Sequence, residues 1–212
     1  MTLRKFSTCF FPVLALVLLF SPSSIAQDYA MSAEEVNPVL ISSTIPDVSV
    51  KNTDGENLNL RDIVKDQPTI FVFYRGGWCP YCNRHLADLK KIEDDLAKEG
   101  YKVYAISADR PELLKQTMDK NELTYTLLSD APMTAGKAFG IAFKMDDETV
   151  ERYKSYDIDI EKDSGYDHHL LPAPAVFLVD QKGIIKFSYV NPNYKERIDG
   201  GILLAAAKAF SK

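Results

Sequence analysis

The sequence predicts an α/β fold: a mixed β-sheet with helices on both faces, in three layers. The run Thr69–Tyr74 (TIFVFY) is continuously apolar, β-branched or aromatic, a pattern typical of a central strand covered on both faces. Strand and helix patterns alternate after this run, and a second strong strand pattern at 175–180 enters a tight turn at 181–183. Alternating elements that end in a hairpin and a last helix imply the mixed, three-layered sheet.

Short elements precede the central strand and a long helix follows it. Residues 45–50 are an extended segment that runs into a turn, and residues 58–64 form a short helical turn. The long helix begins near Cys79 or Pro80, because proline is well tolerated in a first turn, and it ends at Gly100. Its apolar stripe consists of Leu86, Leu89, Ile92 and Leu96.

The second half of the chain continues this alternation, apart from one segment. The predicted elements are a strand at 102–107, a helix at 111–120, a strand at 125–128, a short helix at 133–139, strands at 175–180 and 184–190, and a helix at 196–210. Residues 141–171 lack clear periodicity and are rich in Asp, Glu and Tyr. We interpret this segment as an insertion or a long surface loop.

Composition and charge exclude several classes of protein. The chain has 212 residues, 46% of them hydrophobic and 26% charged, which is the balance of an ordinary globular protein. Three cysteines cannot build a disulfide-stapled miniprotein. A net charge of −5 opposes binding to a nucleic-acid backbone. A chain of this length can bury one complete core, so a single domain is expected.

The N-terminus has the pattern of a secretory signal peptide. Arg4 and Lys5 precede the apolar run 10–20, and a small-x-small exit follows it. The run is shorter than the roughly 20 residues that span a bilayer, so cleavage without stable membrane insertion is expected. The leader after it is predicted to contain a helix around 32–40. We expect an exported protein, periplasmic or secreted, with a signal peptide at 1–26, a leader at 27–43 and one domain at 44–212.

The segment 75–82 (RGGWCPYC) carries the main functional signal. Cys79 and Cys82 are the only cysteines after the predicted cleavage, and they lie at the predicted start of a helix. Unpaired N–H groups at a helix start, the charge of Arg75 and a second sulfur within hydrogen-bonding reach all favour a thiolate there. In such motifs the thiol pKa falls from about 8.5 to between about 3.5 and 7.5. The two cysteines can therefore form a disulfide with each other or remain a dithiol.

Two other interpretations of the cysteine pair stay open. The first is a structural disulfide or two buried thiols, although closing so short a loop removes little chain entropy. The second is a zinc or copper site, because His85 and the adjacent His168 and His169 supply further ligand types. A c-type haem attachment is excluded, since Asn83 rather than His follows Cys82. The redox interpretation requires neither a cofactor nor a resident metal.

The wider sequence resembles a known family. A strand, a Trp-Cys-x-x-Cys motif and a helix resemble the thioredoxin fold. The phrase FYRGGWCPYCNRHL, with residues 45–48 (IPDV) before it, is similar to the peroxiredoxin-like branch of the alkyl hydroperoxide reductase/thiol-specific antioxidant family. Further similar stretches are 127–130 (LLSD) and 171–180 (LPAPAVFLVD), so the resemblance covers roughly residues 44–210. It implies a hydroperoxide substrate and regeneration by a thioredoxin-like or other dithiol donor.

The resemblance also implies roles for the two cysteines. Peroxiredoxins have a Thr three residues before the attacking Cys. If Cys82 takes the attacking position, Cys79 occupies the Thr position and serves as the resolving thiol. In thioredoxin-like reductases Cys79 would attack instead. The family arginine near the last strand is missing, because Pro174 stands there and matches the cis-proline of thioredoxins. Arg75 is a candidate replacement for that arginine.

The neighbouring aromatic and histidine residues have less specific interpretations. Trp78, the single tryptophan, is either an apolar lip for a partner or a packing residue. His85 follows Cys82 by one helical turn and is expected on the helix surface. His168 and His169 are expected to be solvated loop residues.

Three functions agree with these patterns. The first is an exported thiol-dependent peroxidase that reduces hydroperoxides through Cys79 and Cys82. The second is a thiol–disulfide reductase that acts on protein disulfides. The third, of another class, is a periplasmic carrier of a metal such as copper.

Overall fold

The computed structural model describes residues 28–211, so the predicted signal peptide lies outside the described residues. The strands are β1 (Ser49–Lys51), β2 (Asn57–Asn59), β3 (Thr69–Tyr74), β4 (Lys102–Ser107), β5 (Thr126–Ser129), β6 (Ala142–Lys144), β7 (Leu170–Pro172), β8 (Ala175–Val179) and β9 (Ile185–Val190). The helices are α1 (Leu60–Asp66), α2 (Pro80–Lys90), α3 (Glu93–Lys98), α4 (Pro111–Asn121), α5 (Thr134–Ala138), α6 (Asp147–Lys154), α7 (Ile160–Ser164) and α8 (Gly200–Phe210). None of these helices is both long and apolar enough to cross a bilayer.

Seven strands form one mixed sheet in the order β2-β1-β5-β4-β3-β8-β9. β3, β4 and β5 pair in parallel, and the remaining pairs are antiparallel. β3 pairs with β4 over its whole length and with β8 on its other edge. Every residue of β3 is buried, which explains its unbroken apolar run. β8 and β9 form the predicted hairpin.

Helices cover both faces of this sheet. On one face α2, α4 and α8 pack against Ile70, Val72 and Tyr74. On the other face α1 and α5 pack against Phe71 and Phe73. Successive side chains of a strand point to opposite faces, so β3 supplies both cores. The predicted three-layered α/β architecture is confirmed.

Two helix predictions are wrong in their extent, and the last helix begins at Gly200 rather than at residue 196. The leader contains a 3-10 turn at Ala33–Glu35 instead of a helix over 32–40, and Ser32 makes no side-chain cap there. The single helix predicted to end at Gly100 is interrupted before Glu93, which separates α2 from α3. The apolar stripe nevertheless continues across the break, because Leu86 and Leu96 belong to one core. Gly100 does follow the second helix, with a positive φ of 86°.

The interpretation of residues 141–171 as a loop is wrong. The segment contains β6, α6, α7 and β7, and its core is built around Val150, Ile160 and Leu171. Asp146 and Asp159 cap α6 and α7 by accepting hydrogen bonds from main-chain N–H groups. The elements are too short to show the periodicity from which helices are predicted. We refer to residues 141–171 as the insertion.

Candidate active site at the start of α2

The Cys-x-x-Cys motif lies where β3 ends and α2 begins, as predicted. Cys79 is the N-cap residue of α2 and Pro80 is its first residue. Two hydrogen bonds fix the loop before the helix: Gly77 N–H donates to Asp109 Oδ2 at 2.7 Å, and Asn83 Nδ2 donates to Gly77 O at 2.7 Å. The cysteines therefore occupy the first turn of a helix whose N-terminal dipole favours an anion.

The two sulfurs have opposite tendencies to ionise. Neither cysteine is in a disulfide, and Cys79 is 1% and Cys82 0% exposed. Burial opposes ionisation of Cys82, but a hydrogen bond from Cys79, the charge of Arg197 and the Arg75 main-chain N–H lower its pKa to about 6. The same sulfur–sulfur hydrogen bond, with burial, raises the pKa of Cys79 well above its ordinary range. At neutral pH the pair holds a thiolate on Cys82 and a thiol on Cys79.

Arg197 supplies the positive charge beside the Cys82 sulfur. Its Nη2 lies 3.3 Å from Cys82 Sγ, while its Nη1 donates to the main-chain carbonyls of Tyr194 and Glu196 and so fixes the guanidinium. Arg197 lies between β9 and α8, and sequence reasoning missed it. No local pattern marks it, because 115 positions separate it from Cys82.

Arg75 lies in an aromatic cage at the other end of the motif. It is 2% exposed, and its guanidinium carbon is 4.4 Å from the centre of the Tyr194 ring, 5.0 Å from Trp78 and 5.5 Å from Tyr153. Its Nη2 also donates to the Tyr153 hydroxyl at 2.7 Å. Facing aromatic rings stabilise a buried cation, and among residues 28–211 Arg75 has no carboxylate partner. The charge of Arg75 acts on Cys79, where it opposes the rise in pKa.

A buried carboxyl group lies behind the loop. Asp109 follows β4, the parallel neighbour of β3, and accepts hydrogen bonds from Gly77 N–H and from the Ser107 hydroxyl. Burial raises the pKa of Asp109 to about 7, against the effect of both hydrogen bonds. A Cβ on Gly77 would overlap Thr117 Oγ1, so glycine allows the loop to approach α4. Sequence reasoning missed Asp109, although its place after a strand neighbouring β3 was an available signal.

Trp78 and His85 are both packed against the protein. The Trp78 ring is half-buried and meets the Tyr153 ring edge-to-face, with 5.8 Å between centroids, in agreement with a packing role. His85 is 6% exposed, so its expected place on the helix surface is wrong. The amphipathic stripe of α2 includes it, because it lies next to Leu86 and Leu89 on the covered side. Burial, together with the charge of Arg197, lowers the pKa of His85 to about 4.

The remaining histidines belong to the insertion and are half-buried and hydrogen-bonded, so their expected exposure as solvated loop residues is wrong. His168 Nε2 lies 2.9 Å from Ala131 O, and His169 Nε2 lies 2.6 Å from Glu161 Oε1. In residues 28–211 no group of three or more His, Cys, Asp or Glu side chains is arranged to hold a metal. The metal-carrier interpretation therefore gains no support from this part of the chain.

Pro174 does not correspond to a cis-proline. Every peptide bond that the structure describes is trans, so this part of the prediction is wrong. Pro174 is buried ahead of β8, and its carbonyl accepts a hydrogen bond from Asn191 N–H at 3.0 Å. Together with Arg75 it lines a groove of about 440 Å³.

Comparison with known proteins assigns the chain to a family. The model of the AhpC/TSA family matches residues 41–188. The chain belongs to the AhpC/TSA family. Peroxiredoxin Bcp of Escherichia coli (strain K12) is 34% identical over 106 residues, which cover 50% of this chain and 67% of that protein. Thiol-disulfide oxidoreductase ResA of Halalkalibacterium halodurans is 26% identical over 93 residues, which cover 43% of this chain and 52% of that protein.

The fold of this AhpC/TSA protein is also found among solved peroxiredoxin structures. Peroxidoxin BcpB from Mycobacterium tuberculosis superposes with a TM-score of 0.63 at 17% identity, over 80% of this chain and 97% of that chain. The predicted peroxiredoxin-like family and thioredoxin-like fold are confirmed, and the chain is a thiol oxidoreductase of the peroxiredoxin type. The family match ends at residue 188 and does not include Arg197.

Proposed function

We propose that this AhpC/TSA protein is an exported peroxidase in which Cys82 attacks hydroperoxides and Cys79 resolves the product. The observation that carries the proposal is the position of the thiolate. Cys82 has a pKa of about 6, with Arg197 Nη2 at 3.3 Å from its sulfur, whereas the pKa of Cys79 is raised. A peroxidase needs an ionised attacking sulfur and a nearby thiol that condenses with it, and the pair meets both needs.

The reaction proceeds through two oxidation states of Cys82. Its thiolate attacks the terminal oxygen of ROOH, so that an S–O bond forms, the O–O bond breaks and the alkoxide takes up a proton and leaves as ROH. The sulfur has then lost two electrons and is a sulfenic acid. Cys79 attacks this sulfur, closes the disulfide and releases water. An external dithiol returns two electrons and two protons, which regenerates both thiols.

Arg197 has two effects in this scheme. Its guanidinium stabilises the Cys82 thiolate before the attack, and its N–H groups can donate to the peroxide oxygens as negative charge develops on them. Arg197 thus takes the part of the family arginine that is missing at Pro174. The signal pattern at 1–26 supports export, and two thiols that can cycle through a disulfide support a dithiol donor.

A thiol–disulfide reductase is the second candidate function. The similarity to a relative named thiol-disulfide oxidoreductase and the Cys-x-x-Cys pair at a helix start both favour it. In that function Cys79 would attack a disulfide of a partner protein. The raised pKa of Cys79 and its 1% exposure both oppose such an attack, so the peroxidase is the better supported function.

Single-turnover kinetics distinguish the two functions. Trp78 adjoins Cys79, so its fluorescence reports closure of the disulfide. We expect the reduced protein to respond faster to tert-butyl hydroperoxide than to an equal concentration of oxidised glutathione. Cys82→Ser should remove the peroxide response. A faster response to the disulfide, or a peroxide response that survives Cys82→Ser, would contradict the proposal.

A further inference from the structure

A positively charged cavity adjoins the redox centre. It has a volume of about 460 Å³ and lies between α2 and the start of α8. We call it the basic cavity and define it by the five basic residues that line it: Arg84, His85, Lys91, Lys195 and Arg197. The chain carries a net charge of −5, so this concentration of basic side chains runs against the overall charge.

The acidic residues of the cavity are already engaged. Asp88 pairs with Lys91 at 2.7 Å, and Asp199 accepts the Gly201 N–H at 2.8 Å as the N-cap of α8. Within residues 28–211, Lys91–Asp88 is the only ion pair formed by residues that line this cavity. Arg84 and Lys195 are solvent-exposed and face the rings of Tyr81 and Tyr194, each at 5.9 Å. Their charges are therefore available to an external anion.

Two buried nitrogen atoms at the cavity lack a hydrogen-bond partner within the described residues. They are His85 Nε2, on a side chain that is 6% exposed, and Arg197 Nε. An unsatisfied buried polar atom is costly, so a native structure normally provides a partner for it. Arg197 Nε is a donor, and the neutral imidazole of His85 donates to a carboxylate in the tautomer that carries its proton on Nε2. These features together fit one or two carboxylate oxygens.

We propose that the basic cavity binds a carboxylate group of the substrate, so that the enzyme prefers hydroperoxides that also carry a carboxylate. Arg197 connects the cavity to the reaction, because it lines the cavity and its Nη2 lies 3.3 Å from Cys82 Sγ. A substrate held by its carboxylate would place its peroxide beside Arg197, whose guanidinium contacts this sulfur. The inference rests on the proposed peroxidase function, which names Cys82 as the attacking residue.

Binding is tested first, without any reaction. The probe is 4-hydroxy-4-methylpentanoate, the alcohol left after reduction of the matching hydroperoxide. The chain has three histidines, so the ring signals of His85 can be resolved by nuclear magnetic resonance in untagged protein. We expect a saturable shift of the His85 signals, none for His168 and His169, and none with the methyl ester. An unmoved His85 signal overturns the proposal whatever the enzyme activity is.

Substrate preference is tested with 4-hydroperoxy-4-methylpentanoate and its methyl ester, which share one reacting group. We expect the acid to react about tenfold faster than the ester, the effect of one charge-assisted hydrogen bond. The double variant Arg84→Gln/Lys195→Gln should bring the ratio of the two rates close to one. Lys115→Gln, which removes an exposed charge on α4, should keep the ratio. Equal rates in the unaltered protein, or a ratio that the double variant leaves unchanged, overturn the proposal.

The two tests separate this proposal from the proposed function. If neither hydroperoxide oxidises the protein, the peroxidase function is wrong, and the proposed substrate preference is overturned with it. If Cys82→Ser abolishes a reaction that shows no preference for the acid, the peroxidase function stands and the carboxylate subsite is overturned.

Discussion

The hydrogen bond from Cys79 and the charge of Arg197 both favour ionisation of Cys82. The guanidinium of Arg197 lies beside Cys82 Sγ, while the hydrogen bond between the sulfurs keeps the proton on Cys79. A thiol with a lower pKa is also a better leaving group, because its thiolate is more stable. The residue that we propose attacks peroxide is therefore also the one expected to leave when an incoming thiolate attacks Cys79 of the disulfide.

Removal of this charge should raise the pKa of Cys82. With its pKa of about 6, the thiolate fraction and the rate of peroxide attack rise as the pH increases through 6 and are constant above it. In Arg197→Gln the midpoint should move upward by about one unit, a change of roughly 1.4 kcal/mol. Thiolate absorbance at 240 nm, titrated from pH 4 to 10, measures the midpoint. Lys115→Gln is the matched control, and a midpoint that Arg197→Gln leaves in place would refute the role of this charge.

The two cysteines were predictable from the sequence, whereas Arg197 was not. Cys79 and Cys82 form a local motif whose spacing and helix start have a chemical meaning of their own. Arg197 reaches Cys82 only through packing of the β9–α8 connection on α2, and one arginine in a polar connection has no distinctive pattern. Arg75 was predicted as a site residue from its proximity in sequence. Its guanidinium contacts aromatic rings, while its charge acts on Cys79 and its main-chain N–H on Cys82.

At the scale of elements, α6 of the insertion completes the site. Tyr153 lies on α6, accepts the hydrogen bond of Arg75 and packs on Trp78. The insertion is therefore a wall of the redox centre. Its helices could have been recognised by their N-caps, Asp146 and Asp159, although eight and five residues are too few for a clear helical period.

Loss of the Tyr153 hydroxyl should destabilise the protein. Tyr153→Phe leaves a buried N–H of the Arg75 guanidinium unpaired, at a cost of about 1–3 kcal/mol in the free energy of unfolding. Tyr156→Phe, just after α6 and 68% exposed, should change it by less than about 0.5 kcal/mol. Urea unfolding of the two variants measures both values. Equal stabilities would show that the hydrogen bond to Arg75 contributes nothing.

The long central strands were the most predictable elements. β3 and β4 match their predicted limits because continuous apolar runs between breaker residues mark buried strands. The break between α2 and α3 was not predictable, since the apolar stripe passes through it without a change of spacing. A pattern of burial predicts which face of a helix is covered, and it does not reveal a local interruption of the hydrogen bonds.

At the scale of the whole molecule, the parallel pairing of β3 with β4 assembles the redox centre. Both strands end at the same edge of the sheet. Asp109, which follows β4, therefore lies beside the loop that joins β3 to the first turn of α2, and it accepts a hydrogen bond from that loop. The α/β class and the three layers were predictable, because alternating elements with two-sided apolar strands permit few other architectures. The pairing of the leader with the insertion was not predictable, because it consists of an isolated bridge between Ala30 and Phe143, which are distant in sequence.

The order of attack by the two cysteines is tested most directly by trapping the sulfenic acid. Each single variant, Cys79→Ser and Cys82→Ser, is treated with one equivalent of tert-butyl hydroperoxide in the presence of dimedone and analysed by mass spectrometry. We expect the dimedone adduct on Cys82 of the Cys79→Ser protein and none on the other variant. An adduct on Cys79 of the Cys82→Ser protein, formed at an equal or greater rate, would contradict the assignment of Cys82 as the attacking residue.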